Sequence, residues 1–171
     1  IRFQRGFTLD KVDPEAKVAY SAEGKAESFD ILMATPPIRA VPAVCNAGIS
    51  EAEDGEGWLP TDHESMKVLG LDNVYVLGDT VDLPISKAGG ACHSQSPVVV
   101  NNLASELRFG HTCDAYDGKV VAIAQMGLDD GMPLWYDYQT DVQPAPPTKL
   151  GGLMRKGFNR GLYWSVARGL I

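Results

Sequence analysis

The chain has 171 residues, of which 44% are hydrophobic and 22% are charged, a composition typical of a globular protein with one compact core. Fifteen basic residues against 22 acidic residues give it a net charge of -7. This balance excludes a general nucleic-acid binder, because neutralising phosphates requires clustered Lys and Arg, and so no nucleic-acid partner is predicted.

Residues 7–34 predict a β-hairpin that leads into a buried strand. The runs FTLDKV and KVAYS are short strands, and turn residues follow each of them. The next run, Phe29–Ala34, is apolar except for Asp30, which is typical of a strand that is covered on both faces. Further along, residues 48–57 are rich in glycine and acidic residues and predict a surface loop.

Residues 73–107 predict a strand, a loop and a helix. The strand NVYVL covers Asn73–Leu77 and runs directly into Gly78-Asp79. A loop with the sequence DLPISKAGGACH follows. The helix is expected from about Gln95 to Leu107, with Ser94 as its cap and Pro97 in its first turn, where proline is tolerated.

The last third of the chain predicts two strands and a terminal helix. The runs KVVAIAQM and PLWYDY have β character and are separated by a turn at residues 128–131. Glycines lower helix propensity by about 1 kcal/mol each, so the glycine-rich terminal helix needs support from packing or from a membrane surface. Its apolar stripe consists of Leu150, Met154, Phe158, Leu162, Val166 and Leu170.

Charge is concentrated in this tail. Residues 149–171 hold five basic residues and no acidic residue, whereas residues 1–148 hold ten basic and 22 acidic residues. A positive tail on an acidic body indicates either binding to a surface such as anionic lipid or a basic helix that is docked on the body. Both interpretations stay open at the level of sequence.

The three cysteines, Cys45, Cys92 and Cys113, include no CxxC pair. Neither a disulfide framework nor a structural zinc site is therefore predicted, and no other metal site is expected. The chain has no run of about 18 apolar residues, and its first residues lack the apolar core of a signal peptide. It begins without Met, as expected of a fragment.

The junction Gly78-Asp79 is the first candidate site. A strand that ends in Gly-Asp presents a carboxylate at the carboxyl edge of a sheet, where α/β folds bind ligands. Asp79 can accept hydrogen bonds from sugar or ribityl hydroxyls, and Gly78 lets a ligand approach the backbone. Lys87 and the following helix N-terminus suit an electron-rich group such as a reduced flavin ring. The alternative interpretation is an ordinary turn.

The run NVYVLGDTVDLPISKAGGACHSQSPVVVNNL resembles the FAD-closing segment of sulfide:quinone oxidoreductases and flavocytochrome c sulfide dehydrogenases. The runs FDILMATPP, GWLPTD and YDGKVVAIAQMG and the basic tail are similar to other parts of that family, in the same order. The resemblance implies an α/β fold, present as a fragment of a flavoprotein with two dinucleotide-binding (Rossmann-like) domains and a small C-terminal α+β domain. The implied parts are residues 1–72, 73–110 and 111–171.

The resemblance also implies a set of cofactor-binding residues. Gly78 and Asp79 would lie against the ribityl chain of FAD, and Lys87 would lie near the pyrimidine edge of the flavin. Gly89, Gly90 and Ala91 would border the flavin ring. The G-x-G-x-x-G motif with which the family binds FAD does not occur in this sequence, so the fragment alone is expected to be inactive.

The implied reaction passes electrons from a small, sulfide-like donor through FAD to a quinone. The tail resembles the family's membrane-facing helices, which implies a peripheral membrane protein that touches the membrane through residues 149–171. Trp135, Tyr163 and Trp164 are candidates for a quinone pocket, although aromatic residues of this kind also form cores and interfaces. A homo-oligomer is a further expectation.

One position departs from the family pattern. The relatives that oxidise sulfide carry two redox cysteines, and the register of the YDG turn places Ala122 at the second of them. Alanine cannot hold a persulfide, so Cys92 becomes the nearest candidate for a catalytic thiol. The alternatives are a flavoenzyme similar to type II NADH:quinone dehydrogenases and a non-catalytic interaction module that has lost flavin.

Overall fold

The computed structural model describes residues 4–35, 38–49 and 57–169. The chain forms two compact units, one of residues 1–38 and one of residues 39–171. The described part of the first unit contains only short strands, whereas the second combines short strands with a few helices, so the chain has a mixed α/β structure. The Rossmann-like arrangement and the three-part division at residues 72 and 110 stay predictions.

The first unit is a three-stranded antiparallel sheet. Its strands are β1 (Leu9–Asp13), β2 (Val18–Ser21) and β3 (Ala26–Ser28), in the order β1-β2-β3. The Asp13 carboxylate accepts the backbone N–H groups of Glu15 and Ala16 at 3.0 and 2.9 Å and so closes the first turn. The predicted hairpin is confirmed.

The predicted buried strand Phe29–Ala34 is wrong. These residues form no strand, and Ile31 and Met33 are 85% and 94% exposed. An apolar run forms a buried strand only when other strands pair with it and other elements cover its faces. Within the described part of the first unit, the sheet ends instead with the three residues of β3.

The core of the second unit gathers residues from a long stretch of the chain. It includes the two-stranded parallel sheet of β4 (Leu59–Pro60) and β5 (Val81–Asp82). A short helix, α1 (Pro42–Cys45), lies earlier in the chain, and residues 50–56 of the predicted surface loop lie outside the described residues. The buried cluster consists of Leu59, Met66, Val68, Val76, Val81, Leu83, Val98, Val99 and Tyr116.

The predicted strand Asn73–Leu77 is also wrong as a regular element. Tyr75 makes one isolated antiparallel bridge with Lys67, and Val76 is buried. A 3-10 turn of residues Gly78–Thr80 follows at once. The Gly-Asp pair therefore lies in a helical turn, and no strand leads into it.

Helix α2 spans Gly89–Phe109, so the predicted start near Gln95 is wrong. Ser94 does not cap the helix, because its hydroxyl donates to the Gly90 carbonyl within the helix at 3.2 Å. Pro97 consequently lies in the interior of the helix. The two glycines that predicted a loop form the first turn, and Gly110 ends the helix in a left-handed conformation.

The predicted β-hairpin of the last third is confirmed. Strand β6 (Val120–Met126) pairs antiparallel with β7 (Asp130–Tyr136), and the short β8 (Gln143–Pro144) extends the sheet. In this register Ala122 lies opposite Leu134 and Val121 opposite Trp135. The hairpin supplies the surface on which the tail docks.

The tail is helical, as predicted. It consists of α3 (Lys149–Gly157), a π-helical turn (Phe158–Leu162) and α4 (Tyr163–Val166). The Thr148 hydroxyl caps α3 by accepting the Gly151 N–H at 3.0 Å. Within the described residues, no helix is both long and apolar enough to span a membrane.

The tail docks on the hairpin through glycine. Gly151 and Gly152 are buried, and a Cβ at Gly152 would lie 1.7 Å from the carbonyl oxygen of Asp129. The backbones can touch because neither glycine has a side chain. As a result the large apolar residues of the tail point elsewhere, and those that are at least 40% exposed are Leu150, Leu153, Met154, Phe158, Tyr163, Trp164 and Val166.

We predict that Gly152→Ala releases the tail from the hairpin. The new methyl group would overlap the Asp129 carbonyl, and overpacking of this kind costs about 1–3 kcal/mol. Hydrogen exchange of the α3 amides should become faster, while the amides of α2 keep their protection.

Gly157→Ala is the matched control. A Cβ at Gly157 meets no described atom within 4 Å, and alanine favours helix over glycine by about 1 kcal/mol. We expect the α3 amides of this variant to exchange as slowly as those of the unmodified chain, or more slowly. Equal exchange rates in the two variants would contradict the docking through Gly152.

Candidate functional site

The first turn of α2 is an open helix N-terminus. Ala88 precedes the helix in an extended conformation, and within the described chain no side chain caps this end. The first N–H groups of a helix have no partner inside it, and they carry the positive end of the helix dipole. Such an end suits an anionic or electron-rich group.

The two glycines of this turn have different environments. A Cβ at Gly90 would lie 1.9 Å from the carbonyl oxygen of Val121, so the helix touches the backbone of β6 at this point. A Cβ at Gly89 would meet no described atom within 4 Å. Gly90 therefore sets the distance between helix and strand, and Gly89 leaves space above the helix N-terminus.

That space belongs to a cleft of about 280 Å³, which we call the α2 cleft. Its size is close to the lower end of the range for small-molecule sites, about 300–1,000 Å³. Three elements line it: the first turn of α2, the middle of β6 and the tail. The lining residues are Ala88, Gly89, Gly90, Val121, Ala122, Ile123, Arg155, Phe158 and Asn159.

Arg155 is the one charged residue in this lining. Its guanidinium donates to the Gln125 side chain at 2.7 Å, which holds the cation at the edge of β6. The positive charge of Arg155 and the dipole of α2 both favour an anionic or electron-rich ligand. Phe158 supplies an aromatic ring to the same cleft.

Arg155 and Phe158 were missed as site residues at the level of sequence. The sequence pattern places Phe158 in the apolar stripe and Arg155 among the tail cations. The available signal was their spacing, because residues three apart on a helix share a face. The π-helical turn that begins at Phe158 is a second such signal, since single π turns often mark functional sites.

The structure places Ala122 in the α2 cleft, together with Gly89 and Gly90. Cys92, the candidate thiol, does not line this cleft. Its Sγ lies 3.7 Å from the position of a Cβ on Gly78 and thus faces the 3-10 turn. A role for the Cys92 thiol in catalysis stays a prediction.

Gly78 and Asp79 lie beside α2. Gly78 has a φ of +80°, which favours glycine, and its N–H donates to the Gln95 side chain at 2.7 Å. This bond joins the 3-10 turn to α2, because Gln95 is completely buried in that helix. The Asp79 side chain is exposed and accessible to a hydroxyl-bearing ligand.

Lys87 is not among the residues that line the cleft. Its ammonium donates to the Val81 carbonyl at 2.6 Å and lies 3.9 Å from the centre of the Trp58 ring. The preceding residue, Ser86, donates its N–H to the Tyr136 hydroxyl at 3.0 Å. These contacts fix the loop that enters α2, and the predicted place of Lys87 at a flavin edge stays a prediction.

The three aromatic residues proposed for a quinone pocket lie outside the α2 cleft. Trp135, Tyr163 and Trp164 are each about half exposed or more, and the guanidinium of Arg168 covers the Trp164 ring at 3.9 Å. They belong to the outer surface of the hairpin and tail.

A second cleft of about 730 Å³ has a different chemistry. It is lined by carboxylates, among them Asp117 and Asp137, and by His63 and Tyr138, whose rings stack at 5.4 Å. Burial raises the pKa of Tyr138 to about 12, so its hydroxyl stays protonated. This cleft contains none of the residues that the sequence assigned to a site.

No family model matches the chain. Similar curated proteins are the mitochondrial sulfide:quinone oxidoreductases of Dictyostelium discoideum (31% identity over 110 residues) and Schizosaccharomyces pombe (31% over 150 residues). That of Mus musculus is 27% identical over 144 residues. The three matches cover 62%, 81% and 81% of this chain and 24%, 32% and 31% of those proteins. The resemblance is thereby confirmed, and the chain spans a quarter to a third of the length of these relatives.

The fold is also found among solved structures. A chain of the mitochondrial ATP synthase of Tetrahymena thermophila, from an F1Fo composite tetramer, superposes with a TM-score of 0.73. The match covers 92% of this chain and 40% of that chain, at 21% identity. At this identity the likeness concerns the fold alone.

We predict that Gly90→Ala and Gly89→Ala have opposite effects on stability. The first variant places a methyl group against the Val121 carbonyl and should lose about 1–3 kcal/mol of unfolding free energy. The second places it in open space at a helical position and should be neutral or stabilising by up to about 1 kcal/mol. Denaturant unfolding measures the free energy of unfolding of both variants. A stable Gly90→Ala variant would contradict the close contact between α2 and β6.

Proposed function

We propose that this chain, a relative of the sulfide:quinone oxidoreductases, supplies the flavin- and quinone-contacting part of an FAD-dependent oxidoreductase. The observation that carries the proposal is the α2 cleft. It brings the residues expected to border a flavin, Gly89 and Gly90, next to Ala122 and to a cation and an aromatic ring of the tail. The proposed activity is that of a longer protein, which consists of this chain and the part of the relatives that the chain does not cover. We call this protein the full-length form.

The described residues fit a flavin. The uncapped N-terminus of α2 and the open space above Gly89 can receive the electron-rich edge of a flavin ring. The exposed carboxylate of Asp79 would accept hydrogen bonds from ribityl hydroxyls, and Gly78 and Gly90 would lie along the cofactor. Ala91, also predicted to border the flavin, is buried and does not line the cleft. Lys87 would act from the pyrimidine side. When bound, FAD supplies two-electron transfer between donor and acceptor.

The tail side of the cleft offers contacts that suit a quinone. A quinone ring is flat and apolar and carries two carbonyl oxygens, which become electron-rich on reduction. Phe158 offers an aromatic surface for the ring, and the Arg155 guanidinium offers donors for a carbonyl oxygen. Together with the α2 dipole, Arg155 stabilises negative charge that develops on that oxygen.

The electron donor is a small molecule. The lining of the α2 cleft contains no thiol, since Ala122 lies in it and Cys92 does not. A disulfide route for sulfide therefore lacks its second sulfur in this space. A hydride donor, as in type II NADH:quinone dehydrogenases, is the alternative, because it requires no thiol.

We predict that sulfide reduces quinone only when a thiol is restored. The full-length form and its Cys92→Ser variant should show negligible sulfide-dependent quinone reduction, and any gain should be confined to Ala122→Cys. The rate of quinol formation gives the sulfide-dependent activity of all three forms. Strong sulfide-dependent activity that survives Cys92→Ser would sink the assignment of Ala122 to the redox position.

The tail is the proposed contact with the membrane, at its periphery. Its exposed apolar residues lie on a segment with five cations and no acidic residue, and this combination holds interfacial helices at anionic lipid. Each cation near such a surface contributes about 1 kcal/mol.

We predict that the chain floats with anionic liposomes and that Leu153→Asp abolishes flotation. Leu153 is 66% exposed on the tail, so the substitution removes apolar area without disturbing the core. Leu107→Asp, on the exposed face of α2, is the matched control and should float normally. Loss of flotation in both variants would contradict binding through the tail, and a stable dimer with no flotation would indicate self-association of an apolar surface.

The second candidate is a non-catalytic module that has kept the fold without flavin chemistry. Ala122 favours it, because a position expected to carry a redox cysteine carries a methyl group. The same fold also occurs in a chain of an ATP synthase assembly. The visible absorbance of the purified full-length form decides between the two candidates, because a module without flavin would be colourless.

A further inference from the structure

Reduction of a quinone requires protons, and the α2 cleft contains no side chain that can release them. Each quinone gains two electrons and two protons, one proton on each oxygen. Among the described lining residues, Arg155 is the single titratable group, and a guanidinium keeps its proton in proteins. A side chain that donates a proton to a quinone in this cleft must therefore lie just beyond the lining.

We infer that His93 is the proton-exchanging side chain of the α2 cleft, an inference that rests on the proposed function. His93 follows Gly89 by four residues and Gly90 by three, so it shares their face of α2. Side chains on a helix lean towards its N-terminus. The imidazole thus leans over the glycine turn that borders the cleft.

A ring contact places His93 at the edge of the cleft. The imidazole meets the ring of Phe158 edge-on, with the centroids 5.9 Å apart and the planes at 75°. Phe158 lines the cleft, whereas His93 is exposed to solvent. His93 therefore lies between bulk water and the space in which the quinone would bind.

Other charged groups also lie near this turn, among them Lys87, whose ammonium donates to the Val81 carbonyl at 2.6 Å. Asp79 lies on the adjacent 3-10 turn, and β6 carries no charged residue. The tail contributes the cations Arg155, Lys156 and Arg160, of which Lys156 pairs with Asp129 at 2.9 Å. Imidazole is the group that ordinarily gains and loses a proton near neutral pH.

FAD, when bound and reduced by the donor, would supply the two electrons and, from its anionic reduced form, one proton. One quinone oxygen would take this proton, and the other would take a proton from the His93 imidazolium. Bulk water would then protonate the imidazole again, and neutral quinol would leave the cleft.

Binding can be tested on this chain by NMR, with duroquinone as the probe. The chain has three histidines, so His63 and His111 are internal controls. We expect the ring signals of His93 and Phe158 to shift saturably, while those of His63 and His111 stay fixed. A shift of Phe158 without His93 would overturn the inference and leave the proposed function intact. No shift of either ring would overturn the inference, whereas the proposed function is tested by quinone reduction in the full-length form.

Turnover can be tested on the full-length form. We expect His93→Ala to slow quinone reduction at saturating quinone at least about tenfold, with flavin reduction by the donor unchanged. Added imidazole should restore most of the rate. His63→Ala is the matched control and should keep the rate of the unmodified protein.

If His93→Ala slows quinone reduction and imidazole does not restore the rate, His93 has a structural role and the inference is overturned. An unchanged rate in His93→Ala also overturns it. Failure of the proposed function is distinct, because the unmodified full-length form would then reduce no quinone at all.

Discussion

The candidate site depends on one backbone contact, that of Gly90 in the first turn of α2 with Val121 in β6. No other residue allows this approach, because any Cβ would overlap the Val121 carbonyl. The contact brings an uncapped helix N-terminus beside a strand whose next residue is Ala122, and it leaves the space above Gly89 open. A helix dipole acts only over about its first turn, so a helix that stood farther from β6 would lose its effect on a ligand in the cleft.

The tail also reaches the site through a close backbone contact that requires glycine. Gly151 and Gly152 press against the hairpin turn, which holds the beginning of α3 and thereby places Arg155 and Phe158 over β6. The interpretations of a docked helix and of a surface-binding helix are therefore compatible. Glycines form the docked face, and the large apolar side chains remain exposed beside the cations.

The sequence predicted the elements whose pattern is local and missed those that depend on distant partners. The hairpin of β6 and β7 and the terminal helix follow from alternation, turn residues and helical spacing. Phe29–Ala34 and Asn73–Leu77 have apolar runs like those of buried strands, yet pairing partners decide whether a strand forms. The start of α2 was missed because Gly89 and Gly90 disfavour helix locally, while the contact with β6 requires glycine at that place. Arg155 and Phe158 could not be assigned to a cleft before the docking of the tail was known.

The central claim is that the α2 cleft serves a flavin and a quinone. The most direct measurement is the visible absorbance of the purified full-length form, before and after addition of donor and then of quinone. The account predicts bound FAD whose absorbance is bleached by a donor and restored by quinone, with slower restoration after Arg155→Ala. A colourless protein, or bound flavin that quinone does not reoxidise, would contradict it.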